Sequence, residues 1–169
     1  LAFIVSTLSK NYSQVDKLWS VIPMAYVWIV AVRGGFEPRL LLMAILVTIW
    51  GIRLSYNFNR RGGYSWKFWE GTEDYRWEVL QNKKEFSGPW RWHLFNLFFI
   101  SIYQMGLILL ITLPALRSMG GKAFSWVDGL IATIFLFFLV TETIADQQQW
   151  NFHKRKKEAQ DAGGNLPEP

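Results

Sequence analysis

Residues 40–58, 94–116 and 124–145 form three apolar stretches. Each is close to the about 20 residues a helix needs to cross a hydrocarbon core of ~30 Å. A fourth, residues 18–32, is shorter; it contains Pro23 and is flanked by Lys17 and Arg33, whose long side chains can snorkel to the headgroups. Residues 1–8 read as the tail of a further span. Lipid offers the backbone no hydrogen-bond partners, so such segments must fold as helices. The expected class is all-α: a polytopic transmembrane helical bundle of about five spans, the first truncated. The sequence opens without Met, which fits a fragment of a longer chain.

Composition supports this class through its patterning. Apolar residues make up 51% of the 169, yet mean hydropathy is only +0.10, because charged loops separate the apolar runs. With those spans, one side of the membrane receives 13 Lys and Arg and the other four, Arg33, Arg39, Arg117 and Lys122. Positive residues favour the cytosolic side, which places the long loop of residues 59–93 and the C-terminus there. A pI near 9.6 then reflects topology and anionic lipid rather than nucleic acid. The absence of Cys excludes disulfides, thiolate metal sites and a cysteine nucleophile.

The connections carry their own signals. Residues 9–17 form a polar turn, with Asp16 and Trp19 placed to cap and anchor the next helix. Residues 33–39, with Gly34, Gly35 and Pro38, form a tight hairpin. In the 59–93 loop, Arg60-Arg61-Gly62-Gly63 ends the preceding helix. Tyr64, Trp66, Phe68 and Trp69 then supply an aromatic cluster for the headgroup layer. Residues 72–80 read as a short helix with Thr72 at its N-cap. Trp90, Arg91, Trp92 and His93 form an interfacial anchor where the chain re-enters the membrane. Residues 158–169 read as a cytosolic loop.

Polar groups on the apolar helices are costly and so point to function. Glu142 and Asp146, four residues apart, share a helical face that Gln149, Trp150 and His153 continue. The basic run His153 to Lys157 follows, suited to phosphates or to anchoring at the headgroups. Arg53, Asn57 and Arg60 or Arg61 make a polar stripe on the third apolar segment. Arg53 either pairs with Glu142 or Asp146 or snorkels alone. Tyr56 beside it is a phenol that, in a dry pocket, can donate a proton. Tyr103 and Gln104 suit helix–helix hydrogen bonds, and Pro114 suits the end of a span. His93 and His153 lie about 60 residues apart, without ligand spacing, so no metal site is expected. Phosphate-binding glycine loops and serine elbows are absent from the sequence.

Three stretches together resemble a known family: Trp50-Gly51-Ile52-Arg53-Leu54, then Glu73-Asp74-Tyr75-Arg76-Trp77, then Glu142 and Asp146-Gln147 with Phe152. They are similar to the uncharacterised membrane branch of the steroid 5α-reductase-like proteins, related to isoprenylcysteine carboxyl methyltransferases. The resemblance covers roughly residues 14–157, and the chain stops before that family's C-terminal Arg-His-Pro motif. It implies one transmembrane domain over residues 1–157. The implied activity is NADPH-dependent reduction of a C=C bond in a steroid- or lipid-like substrate, inactive in this fragment alone. It further implies that Arg53, Glu142, Asp146, His153, Lys154 and Arg155 contribute to cofactor binding. Tyr56 matches the family's proton donor, one position early. An S-adenosylmethionine-dependent methyltransferase and a non-catalytic lipid-binding membrane protein are the alternatives. Membrane lipid and a lipid-like small molecule are the expected partners; nucleic acid, a metal and a protein partner are not.

Overall fold

In lipid, close helix approach depends on small residues and on polar groups that satisfy one another across the interface. Both devices join α2 (Gln14–Arg33) to α3 (Pro38–Arg60) in the computed structural model, which describes residues 1–86, 88–121 and 123–162. Gly51 of α3 lies against α2 so closely that a Cβ there would stand 2.8 Å from the Ser20 carbonyl oxygen. Trp28 Nε1 donates to Thr48 Oγ1 at 2.9 Å, and Ser55 Oγ donates to Ser20 Oγ at 2.8 Å. The expected hairpin joins the two helices. Gly35 and Phe36 adopt left-handed φ of 66° and 58°, and Phe36 N–H closes on Ala31 O at 2.8 Å. Pro38 then opens α3 at a position that needs no amide donor.

The third long apolar helix runs without a break from Pro89 to Ser118: α5 (Pro89–Phe95), a π-helical segment (Asn96–Tyr103) and α6 (Gln104–Ser118). The polar loop is therefore shorter than 59–93, because Trp90 to His93 already lie in the first turns of this helix. Trp92 is buried in a core with Tyr12, Val15, Trp77 and Ile100 rather than acting as an interfacial anchor. Pro114 does not end the span; α6 continues to Ser118, the missing donor being tolerated inside a helix. Gln104 makes the expected helix–helix bond, accepting from Trp19 Nε1 of α2 at 2.8 Å. The short α1 (Ala2–Ser9) is held by buried Asn96, whose Nδ2 donates to Ser6 Oγ at 3.0 Å and Thr7 Oγ1 at 3.2 Å.

Residues 1–124 form one compact unit and residues 125–169 another. The second consists, as described, of α7 (Trp126–Asp161), started by a capping box in which Ser125 and Asp128 satisfy each other's backbone amides. The helix continues through the basic run, so residues 158–161 are helical and not part of a loop; residues 163–169 lie outside the described residues, as does Lys122. Four helices are long and apolar enough to cross a membrane: Gln14–Arg33, Pro38–Arg60, Pro89–Ser118 and Trp126–Asp161. The protein is an all-helical, multi-pass membrane bundle, with no strand among the described residues. The eight residues of α1, about 12 Å long, are shorter than a hydrocarbon core is thick.

Candidate functional site

Burial of polar residues is the first clue to a site, because each such group must find a partner. The densest run is residues 11–17, where Asn11, Ser13, Gln14 and Lys17 are all buried. Their partners come from the loop after α3. Asn11 Nδ2 donates to Gly71 O at 2.9 Å, Gln14 Nε2 to Trp69 O at 3.0 Å, and Lys17 Nζ to the carbonyls of Phe68 and Glu70. In return Tyr12 N–H donates to Glu73 Oε1 at 2.6 Å and Asp74 N–H to Ser13 Oγ at 3.0 Å. Trp77 Nε1 donates to Asp16 Oδ2 at 3.2 Å. The loop is stitched, segment by segment, onto the start of α2.

Four expectations change here. Lys17 does not snorkel, because loop carbonyls enclose its ammonium. Asp16 sits within the first turn of α2 and accepts from Trp77, while Ser13 occupies the N-cap position. The short helix is α4 (Tyr75–Gln81), and Asp74, not Thr72, caps it by accepting from Arg76 N–H at 2.9 Å. The loop aromatics form no single cluster. Phe68 and Trp69 pair edge to face, Tyr64 pairs with Phe58, and Trp66 is fully exposed.

The loop's charges obey the same geometry. A bond donated by the Arg76 side chain, 2.8 Å from Nε to Oδ1, holds the Asp74 carboxyl below its ordinary 3.8. Burial pushes Glu73 above its ordinary 4.5, partly offset by the Tyr12 amide. For an acid raised on folding, the stability cost appears as pH climbs from about 4.5 through the folded value. Glu73→Gln keeps an acceptor for Tyr12 and removes that cost. It is expected to raise the melting temperature at pH 7 relative to wild type and to leave it nearly unchanged at pH 4, as thermal unfolding in detergent will report. Asp74 acts in the opposite sense, its contribution being lost as pH falls below 3.8.

Beneath the stitched loop lies a cavity of about 300 Å³. Val5, Leu18, Val21 and Phe68 make its lining largely apolar, while Gln14, Lys17 and Tyr64 bring polar groups to it. Tyr64 belongs to a relay: Ser55 Oγ donates to Ser20 Oγ, which lies 2.8 Å from Tyr64 OH, and Tyr64 OH donates to Lys17 O at 3.1 Å. A mostly apolar pocket with a few fixed polar groups is the usual form of a small-molecule site.

The residues singled out from sequence fall on two elements. Arg53, Tyr56 and Asn57 lie on α3; Asn57 is buried, Arg53 half-buried and Tyr56 62% exposed, with the Arg60 guanidinium 5.6 Å from its ring centroid. Glu142, Asp146, His153, Lys154 and Arg155 lie on α7, where Asp146 is half-buried and the others exposed. Along α7, Gln147 Nε2 donates to Asn151 Oδ1 at 2.9 Å, Lys154 faces Glu158 at 4.0 Å and Phe152 meets His153 edge to face. Lys17 and Tyr64 line the cavity and are absent from that set. For Lys17 the available signal is a dense polar run, residues 9–17, next to an apolar segment.

Residues 2–166 match a family described as "Protein of unknown function (DUF1295)". An uncharacterised protein of Schizosaccharomyces pombe is 36% identical over 159 residues, which cover 90% of this chain and 44% of that protein. The chain thus spans less than half the length of this curated relative. No solved structure matches. The chain belongs to the DUF1295 family.

Proposed function

We propose that this chain is the membrane-embedded part of an NADPH-dependent reductase that acts on a C=C bond of a steroid- or lipid-like substrate. The observation that carries this is the single unbroken α7, which places Glu142, Asp146, Trp150, His153 and Lys157 at successive spacings of four, four, three and four. Acids and cations then lie along one helical surface. Asp146 and His153 are separated by about 10 Å of helix rise, so they can engage different parts of one elongated ligand. The resemblance to steroid 5α-reductase-like sequences supports giving Glu142, Asp146 and the basic residues that follow them to the cofactor. In this reading Glu142 and Asp146 accept from amide or ribose hydroxyl groups, and His153, Lys154 and Arg155 face the phosphates; Arg53, on α3, is proposed for the cofactor set from the sequence resemblance alone. NADPH supplies the hydride when bound; the chain's residues orient it and manage the proton.

Two phenols compete for the proton-donor role. Tyr56 matches the family position within one residue, while Tyr64 is the one lining an apolar cavity with its hydroxyl held by hydrogen bonds. The cation run favours NADPH over S-adenosylmethionine, which carries no phosphate. The long loop and the end of α7 face the cytosol in this proposal, where NADPH is available.

Asp146→Ala in the full-length protein is expected to weaken NADPH binding at least tenfold, the scale of one charge-assisted hydrogen bond. Membrane insertion should stay at the wild-type level. Equilibrium titration followed by tryptophan fluorescence measures the affinity, and unchanged binding refutes the assigned role.

A further inference from the structure

A buried ammonium needs compensation, and an acid usually provides it. Lys17 is only 7% exposed, yet its partners among the described residues are two neutral carbonyls, those of Phe68 and Glu70. The Glu70 side chain itself turns to Lys67, 3.2 Å away, and Asp16 accepts from Trp77. An ammonium has three donors, and two are used. The same side chain lines the 300 Å³ cavity, where the side chains of Leu1, Val5, Leu18, Val21 and Phe68 are apolar neighbours. The positive charge is therefore buried beside an apolar space large enough for a guest, with no carboxylate partner among the described residues.

We infer that this cavity binds the carboxylate end of a long-chain amphiphile, with Lys17 as its counter-ion. The guest's chain packs on Val5, Leu18, Val21 and Phe68, and its oxygens take the third Lys17 donor, with the Gln14 amide close by on the same lining. A neutral amphiphile of the same length fits the apolar lining but leaves the charge uncompensated. Only the fate of the ligand, reduction, rests on the proposed function; its binding does not.

The test uses the purified full-length protein in detergent without NADPH and measures binding of radiolabelled palmitate, competed by hexadecanol, by acetate and by palmitoyl lysophosphatidate. Palmitate is expected to bind saturably, with hexadecanol and acetate each at least about tenfold weaker. Lys17→Met should erase the preference for palmitate over hexadecanol. Val21→Trp, which fills the cavity and leaves Lys17 and the loop untouched, should abolish binding of both. Equal affinity for palmitate and hexadecanol overturns the inference, as does wild-type palmitate binding by Val21→Trp, which decides the matter if Lys17→Met fails to fold. Tighter binding of lysophosphatidate overturns the carboxylate assignment in favour of a phosphate. NADPH binding read in parallel separates the two ideas: its absence with palmitate binding intact sinks the reductase alone.

Discussion

Gly51→Leu is expected to leave little folded protein, and Gly51→Ala to cost about 1–3 kcal/mol, the usual range for overpacking a close contact. The cause is the crossing of α2 and α3. A Cβ at position 51 would stand 2.6 Å from Met24 Sδ and 2.8 Å from the Ser20 carbonyl oxygen. The methionine can yield, being flexible, but the carbonyl is backbone in the middle of α2 and cannot move without the helix. Alanine recovers about 1 kcal/mol of helix propensity over glycine, which is too little to cancel the steric term. Leucine adds three more carbons in the same gap. Ser20 also holds Ser55 and Tyr64, so spreading the helices breaks the relay under the cavity. Thermal unfolding in detergent will measure this, and an alanine variant as stable as wild type would show that the helices stand further apart.

Asn11→Ala is the second large effect, expected at about 2–4 kcal/mol from two lost hydrogen bonds and the buried groups they leave behind. Its Nδ2 ties Gly71 O, and its Oδ1 accepts from Ser13 N–H at 3.1 Å. Ser13 is completely buried, so its amide gains no water when Asn11 is truncated. Gly71 has φ of 123°, a conformation that glycine adopts and other residues rarely do, and its carbonyl is the group that Asn11 holds. The loop should therefore loosen before the helices do. Limited trypsin digestion reports this as faster cleavage after Arg61 and Lys67 at a temperature where the helical circular dichroism is unchanged. Equal cleavage of variant and wild type would mean the loop is held by other bonds.

Much of this architecture was legible in the sequence, because hydrocarbon thickness and helix rise leave few solutions for long apolar runs. The hairpin at residues 34–37 was equally plain, since paired glycines before a proline punctuate strongly. Boundaries fared worse where two rules conflicted. Trp90 to His93 look like an interfacial belt, yet Trp92 is buried against Tyr12, a partner some 80 residues away that no local pattern reveals. Lys17 looks like a snorkelling flank, and only the path of the 59–74 loop shows that carbonyls reach it first. Thr72 and Asp74 are both good caps, and the choice between them follows from Ser13 pinning the Asp74 amide and from the bond Asp74 accepts from Arg76. The polar groups on α3 and α7 could be named from spacing alone. The cavity could not, because its lining comes from α1, α2 and the loop.

The most direct test of the proposed reductase is a titration of the complete protein with NADPH and, separately, with S-adenosylmethionine, followed by quenching of its tryptophans. Saturable binding of NADPH and none of S-adenosylmethionine is the predicted result. Binding of S-adenosylmethionine alone, or of neither, would contradict it.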